Sequence, residues 1–234
     1  MKIMNFDRFI IWVIYILLIV AIIFISIIIS NLRINKLFKV IEQLVDNKEN
    51  IKNIHINEKT KSYYFMKRLY DILFSVLGLL ILLPILLIVA VIIKIEGSGS
   101  IFVMDIRVGR FTKDIKIFRF RTKCDDKYTK VGIFLYKTSI ANLPMLINVM
   151  LGDISIVGIQ LYRREWLDVV EDKSIFIEKP GIVSLWALSI DKQRFKANNI
   201  YYFDKVYLNR RSILFDFYII INTFKVALSV SGDY

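Results

Sequence analysis

LYDILFSVLGLLILLPILLIVAVIIKI, residues Leu69 to Ile95, is the stretch that decides the fold of this chain. Its length alone would let it cross a bilayer, because about 20 apolar residues at roughly 1.5 Å rise span the hydrocarbon core. Three features argue for another path. Lys67 and Arg68 precede it, and Lys94, Arg107, Arg110, Lys113 and Lys116 follow it, so both ends prefer the cytoplasmic side. Pro84 falls near the middle, where it removes a backbone donor and crowds the preceding turn. Asp71 stands at the start, where a carboxylate suits the first turn of a helix near the interface. A helix that enters the inner leaflet, bends at Pro84 and leaves on the same side satisfies all three. A proline-kinked spanning helix is the alternative.

Toward the N-terminus a second apolar run, FIIWVIYILLIVAIIFISIIIS from Phe9 to Ser30, carries no charge and no proline. It is too long for a signal-peptide core, and no Ala-x-Ala-like site follows it, so it reads as a retained anchor. Lys2 and Arg8, partly offset by Asp7, precede it, whereas Arg33, Lys36, Lys39, Lys48 and Lys52 follow. This bias places the C-terminal side in the cytoplasm. Residues 31–66 are polar and rich in Lys and Asn, with one amphipathic stretch at Leu37, Ile41, Leu44 and Val45 that reads as a juxtamembrane helix.

Toward the C-terminus, after Gly97-Ser98-Gly99-Ser100, the pattern becomes globular. IFVMDIRVG (Ile101 to Gly109) and KIFRFRTK (Lys116 to Lys123) read as short strands. In the second, alternation puts Phe118 and Phe120 on one face and Arg119, Arg121 and Lys123 on the other, which suits either solvent or an anion. A helix is expected from Leu143 to Leu151, with Thr138 or Ser139 as cap, Pro144 in the first turn and Gly152 as the stop. Near the end, Ile213, Phe217, Ile220, Ile221, Phe224 and Leu228 form an apolar stripe at helical spacing, with Asp216 lying off it. Core packing and docking on the membrane surface both fit that stripe.

Composition agrees with a membrane protein. Of 234 residues 56% are hydrophobic, and 33 Lys and Arg against 21 Asp and Glu give a formal net charge of +12. Such a balance suits anionic lipid, phosphorylated substrates or nucleic acid. Nucleic acid is the least favoured, because an anchored chain meets lipid first. Cys124 is the one cysteine, which excludes an intrachain disulfide and a thiolate zinc site. His55, the one histidine, lies in a polar stretch and reads as a solvated linker residue, which argues against a histidine-based triad or metal centre. Asp125 and Asp126 beside Cys124 read as an exposed loop pair and not as metal ligands.

From Lys67 to about Val230 the chain resembles the bacterial sugar transferases, the monotopic polyprenyl-phosphate phosphoglycosyl transferases. KRLYDILFSVLGLLILLP resembles the family's Lys-Arg-x-x-Asp opening and its re-entrant helix, broken at the position of Pro84. IRVGR and KIFRFRT resemble the Arg-x-Gly and Phe-Arg-Thr strands through Arg107, Gly109, Phe120, Arg121 and Thr122. LPMLINVMLGDISIVG (Leu143 to Gly158) is similar to the central block, and KPGIVSLW (Lys179 to Trp186) to an Arg-Pro-Gly-x-x-Gly-x-Trp stretch. The closing block, FDKVYLNRRSILFDFYIIINT, keeps Asp204, Tyr207, Ser212, Asp216 and Thr223 in step.

The resemblance implies transfer of a sugar phosphate from a nucleotide-diphosphate sugar to a membrane polyprenyl phosphate. It also implies an aspartate nucleophile at a helix N-terminus, an adjacent glutamate, and magnesium on the diphosphate. Where the family reads Thr-Ser-Leu-Asp-Glu-Leu-Pro, this chain reads Thr138-Ser139-Ile140-Ala141-Asn142-Leu143-Pro144. Ala141 carries no nucleophile, and Asn142 is no base and a poor magnesium ligand. The family's Gly-Pro-Arg-Pro is Gly158-Ile159-Gln160-Leu161, arginines ahead of the central block are Ile133 and Tyr136, the Trp-Gln pair is Trp186-Ala187, and a following Gly-Arg is Ile190-Asp191.

The expectation is therefore an α+β protein: an N-terminal transmembrane helix, a re-entrant membrane helix, and a small mixed α/β cytoplasmic domain with amphipathic helices on the membrane surface. Its parts are an anchor at 1–33, a juxtamembrane linker at 34–66, and a sugar-transferase-like domain at 67–234 with the re-entrant helix at 67–96. The expected seat is the bacterial cytoplasmic membrane, with the C-terminal domain in the cytoplasm. The expected function is a transferase-like protein of polysaccharide or glycoconjugate biosynthesis that is inactive and acts as a scaffold or partner. The alternative is an active transferase with a relocated nucleophile, for which Asp153, about 13 Å away along the helix, is the nearest carboxylate. No catalytic residue is retained at Ala141 and Asn142; Arg107, Arg121, Lys137 and Lys179 are the candidates for holding phosphate. No metal site is expected, with magnesium only if the chain is active. Expected partners are inner-membrane lipid, polyprenyl phosphate, a nucleotide-diphosphate sugar if active, and a related transferase in a homo- or hetero-oligomer.

Overall fold

The computed structural model describes residue 56 and residues 58–168, 170–188 and 200–229. The apolar run Phe9–Ser30, the amphipathic stretch Leu37–Val45, His55 and the pair Ile190-Asp191 lie outside the described residues. Within them the chain is mixed helix and sheet, built on one long helix.

That helix, α1 (Lys61–Glu96, 36 residues), starts where the Thr60 hydroxyl accepts from Tyr63 N at 3.3 Å. It therefore takes in residues 61–66, expected in the linker, because the polar Lys61-Ser62 pair follows a capping threonine rather than a turn. The helix runs unbroken through Pro84, correcting the break expected there. Proline deletes one backbone bond, and the Leu and Ile turns on either side keep theirs. Asp71 is accordingly not in the first turn but three turns in, and 3% exposed. Among the described residues α1 is the one single helix long and apolar enough to cross a membrane.

Only one stripe of α1 meets the rest of the domain. Lys67, Tyr70, Asp71 and Ser75 are buried near its start, Val89 and Ile93 near its end, and nothing between is fully buried. Leu69, Leu73, Leu77, Leu80, Ile81, Leu87, Ile88 and Val91 stand largely exposed. Both ends dock on the same folded body.

Strands β1 (Phe102–Val108) and β2 (Asp114–Phe120) form an antiparallel hairpin in the register Phe102↔Phe120 to Val108↔Asp114. β2 is buried on both faces. Ile117 packs with Met145, Val149 and Ile154, whereas Phe120 packs with Val89, Ile93, Leu135 and Ala141. The expected row of three cations on one face does not form, because the strand ends at Phe120. Arg121 turns away and donates to the carbonyls of Ile93 (3.1 Å), Gly97 (2.9 Å) and Ser98. It thereby caps the C-terminal carbonyls of α1. Lys123 enters a second small hairpin, β3 (Lys123–Cys124) and β4 (Lys127–Tyr128), whose two turn residues Asp125 and Asp126 both have positive φ, 48° and 61°.

Helix α2 (Lys130–Lys137) is capped by Thr129, whose hydroxyl accepts from Gly132 N at 2.9 Å. The chain then bends by 84° through Ser139 in the left-handed region (φ 60°), a 3-10 turn (Ile140–Asn142) and α3 (Met145–Leu151). Neither expected cap is used: the Thr138 hydroxyl donates back to Phe134 O at 2.7 Å, and Ser139 makes no capping bond. Gly152, at φ 95°, stops α3 as expected. β5 (Ser155–Val157) and β6 (Gly181–Val183) pair in parallel, and α4 (Ile200–Arg210) and α5 (Ile213–Ser229) close the domain. Over residues 213–223 of α5 the buried positions are Asp216 and Ile219, both 0% exposed, while Ile213, Phe217 and Ile220 of the apolar stripe are half-buried and Ile221 is exposed; the side chains of Phe224 and Leu228 lie outside the described residues. A carboxylate can take that place only because a lysine meets it there.

Candidate functional site

The polar side chains that hold the domain together cluster where α1, β5, α4 and α5 meet. Lys67 Nζ lies 2.7 Å from Asp216 Oδ2, with both side chains at most 5% exposed, and also donates to Tyr70 Oη and Val157 O at 2.9 Å. The Tyr70 and Tyr207 hydroxyls both donate to the Asp216 carboxylate. One turn along α1, Asp71 accepts from Ser155 Oγ at 2.8 Å and Ile156 N at 3.0 Å. Asp204 is fully buried and accepts from Tyr162 Oη at 2.6 Å and Gln160 N at 2.9 Å. Burial pushes its carboxyl up to about 7, against the pull of those two bonds. Every one of these carboxylates has partners far away in sequence.

The Ala141–Asn142 corner is built differently. The 3-10 turn directs the Ala141 methyl inward, 1% exposed, against Val89, Ile93, Phe120 and Leu135. Asn142 points outward and lines two adjoining cavities. The larger, about 780 Å3, is also bounded by Arg119, Tyr128, Ile133, Tyr136, Lys137, Ser139 and Gln160. The smaller, about 190 Å3, adds Asp105, Arg107, Met145, Leu161, Gly181 and Ile182. Three positions at which the resemblance implies arginine, now Ile133, Tyr136 and Gln160, thus face the cavity that Asn142 faces. Gln160 is further tied down, its side-chain oxygen accepting from Ser184 Oγ at 2.6 Å.

The four cations chosen from sequence are not brought together. Lys137 lines the larger cavity and Arg107 the smaller. Arg107 is already paired with Asp105, which also meets Arg119 Nη1 at 3.3 Å. Burial would raise the Asp105 carboxyl, but the two guanidinium groups win and hold it below its ordinary range. Arg121 is spent on the end of α1. Lys179 lines a separate opening. Arg119, which alternation placed on the cationic face of β2, is the residue that site reasoning passed over; it borders both cavities at Asn142.

Among the described residues this corner offers a magnesium ion a single carboxylate. Asp105 is the one acidic side chain lining either cavity, and it is held by two arginines. Among the described residues no group of three or more His, Cys, Asp or Glu side chains gathers as a metal site. Asp153, the nearest carboxylate along the helix, lies past Gly152 and lines neither cavity; it accepts from Asn148 Nδ2 at 3.0 Å.

A family model described as bacterial sugar transferase matches residues 62–230. The chain is 28% identical over 224 residues to the UDP-N-acetylgalactosamine-undecaprenyl-phosphate N-acetylgalactosaminephosphotransferase of Aeromonas hydrophila, covering 83% of this chain and 52% of that protein. It is 32% identical over 181 residues to the UDP-glucose:undecaprenyl-phosphate glucose-1-phosphate transferase of Klebsiella pneumoniae, covering 67% of this chain and 39% of the relative. It is also 28% identical over 199 residues to the exopolysaccharide production protein ExoY of Sinorhizobium fredii, covering 72% and 88%. The chain thus spans about half the length, or less, of the first two relatives and most of the third.

Proposed function

The chain belongs to the bacterial sugar transferase family, and from that premise we propose that it is a membrane protein of polysaccharide or glycoconjugate biosynthesis that no longer performs the transfer and serves as a scaffold or partner. One observation carries the reading. Four of the positions where the chain departs from the family pattern, Asn142, Ile133, Tyr136 and Gln160, face a single cavity, while the family-like Lys67, Asp71, Asp204, Tyr207 and Asp216 sit in the buried frame. Attack on a phosphate needs a carboxylate or an equivalent electron pair at the reacting atom. The Ala141 methyl has none, and the amide nitrogen of Asn142 is neither nucleophile nor base.

A nucleotide-diphosphate sugar can still enter a cavity of about 780 Å3. There Lys137 and Arg119, with Arg107 behind them, supply positive charge for its phosphates through charge-assisted bonds. Such binding would be weak, because Arg107 and Arg119 share Asp105. The natural partner of such a protein is a second transferase-like chain, of its own kind or an active relative.

The membrane reading rests on α1. About 39 Å of helix separates Lys67 from Ile93 at 1.5 Å per residue, more than the roughly 30 Å hydrocarbon core. Yet both residues are buried on one domain. A helix that crossed the bilayer would carry one of those ends to the far side. This supports a helix whose two ends stay on the same side of the bilayer.

The test is direct. Purified full chain with magnesium, a panel of uridine-diphosphate sugars and polyprenyl phosphate is expected to release no uridine monophosphate above the protein-free blank and to form no lipid-linked sugar phosphate. Release that disappears in Asp153→Asn would instead establish an active transferase with a relocated nucleophile.

A further inference from the structure

Away from Asn142 the described residues hold a second opening, of about 370 Å3, which shares no lining residue with the first. It lies beside the first three turns of α1. Five cations line it: Lys67 is paired with Asp216, and no described carboxylate forms an ion pair with the other four, Lys61, Arg68, Arg110 and Lys179. The acidic residues on its wall already have partners: Asp71 accepts from Ser155 and Ile156, and Glu178 lies 3.4 Å from Arg211 and accepts from Lys179 N at 3.1 Å.

Two of the cations are held firmly, but by neutral groups. Arg68 donates to Val149 O at 2.6 Å and Met150 O at 2.7 Å, and Arg110 Nε donates to Ile177 O at 2.7 Å. Carbonyl partners fix a guanidinium in place while leaving its charge uncompensated. Burial first, and then Arg68 and Arg110, depress the Lys179 ammonium below its ordinary range, against the opposing pull of Asp71 and Glu178. Like charges around one opening repel, and an anion between them relieves the repulsion.

The neighbouring surface says what carries the anion. Lys61, Tyr64, Arg68 and Asp71 face the opening along one stripe of α1. On the adjacent stripe Phe65, Leu69 and Leu73, one turn apart, are 68%, 51% and 54% exposed. A soluble phosphate would use the cations alone, whereas a lipid would use the cations with its head and the apolar stripe with its acyl chains.

We propose that this opening is a binding site for the phosphodiester headgroup of an acidic membrane lipid of the phosphatidylglycerol type, seated among Lys61, Arg68, Arg110 and Lys179 with its chains along Phe65, Leu69 and Leu73. The site fixes the entry end of α1 at the membrane surface. It rests on α1 lying at that surface and is independent of whether the chain transfers sugar phosphate.

The full chain in neutral detergent is titrated with dioctanoyl phosphatidylglycerol, dioctanoyl phosphatidylcholine and glycerol 1-phosphate, with bound ligand counted by native mass spectrometry. Phosphatidylglycerol is expected to bind about tenfold tighter than phosphatidylcholine, and Lys61→Gln with Arg110→Gln to remove that preference. Lys61 is exposed in the first turn, so Lys61→Gln alone keeps the fold and is expected to weaken phosphatidylglycerol several-fold. Equal affinity for the two lipids, or a preference that both variants leave intact, overturns the proposal. Glycerol 1-phosphate binding as tightly as phosphatidylglycerol overturns it too, by making the ligand a soluble phosphate.

Discussion

The ion-pair frame at the start of α1 and the corner at Asn142 belong to one domain, and their polar groups are held by opposite means. In the frame, each carboxylate is buried and met by a lysine, a hydroxyl or a backbone N–H from a distant segment, as Lys67 meets Asp216 and Ser155 meets Asp71. At the corner, Ala141 is buried among apolar side chains and Asn142 lines the larger cavity. Removing a frame residue strands its partner in a low-dielectric interior, so such a change is severe. A change at the cavity wall meets solvent and costs the fold little. A chain released from catalysis therefore drifts at the wall before the frame, and the two regions differ in that sense.

The largest effect is expected in the frame. Asp216→Ala leaves the Lys67 ammonium buried without its counter-charge and should cost about 3–5 kcal/mol, read as loss of the folded fraction in a denaturant titration in detergent. A cost below about 1 kcal/mol would erase the contrast between the regions. Ala141→Asp comes next. It puts a carboxylate among Val89, Ile93, Phe120 and Leu135 and should cost about 2–4 kcal/mol, so the family's aspartate cannot simply be put back here.

Asp204 sharpens the comparison through pH. Its carboxyl is raised from 3.8 to about 7 by burial. Below about pH 4 it is protonated whether the chain is folded or unfolded and favours neither. Between about 4 and 7 the unfolded chain gives up the proton that the folded one keeps, so stability falls as pH rises. Asp204→Asn should flatten that window in melts taken at a series of pH values. The smallest effect is expected at the wall: Asn142→Glu should change stability by less than about 1 kcal/mol and should release no uridine monophosphate, because no nucleophile stands beside it.

How far the sequence could be read follows the same division. The two strands of the first hairpin and the glycine stop of α3 were legible, because alternation and a left-handed turn are local properties. The extent of α1 was not, since Pro84 read as a break and Lys61 as linker. Asp71 and Asp216 read as a terminal carboxylate and an off-stripe polar residue. Both are buried because partners 84 and 149 residues away reach them, which no periodicity can reveal. Arg121 was assigned to a strand face that the strand does not reach. The departures at Ile133, Tyr136, Asn142 and Gln160 were legible one by one from the family resemblance. That they line one cavity needed the fold.

Intact-mass spectrometry of the chain tests the proposed loss of the attacking group most directly. After incubation with magnesium and each uridine-diphosphate sugar, and without lipid acceptor to discharge an intermediate, the protein mass is expected to stay unchanged. A mass gain equal to one phosphosugar, retained on denaturation, would contradict it and would place a working nucleophile on this polypeptide.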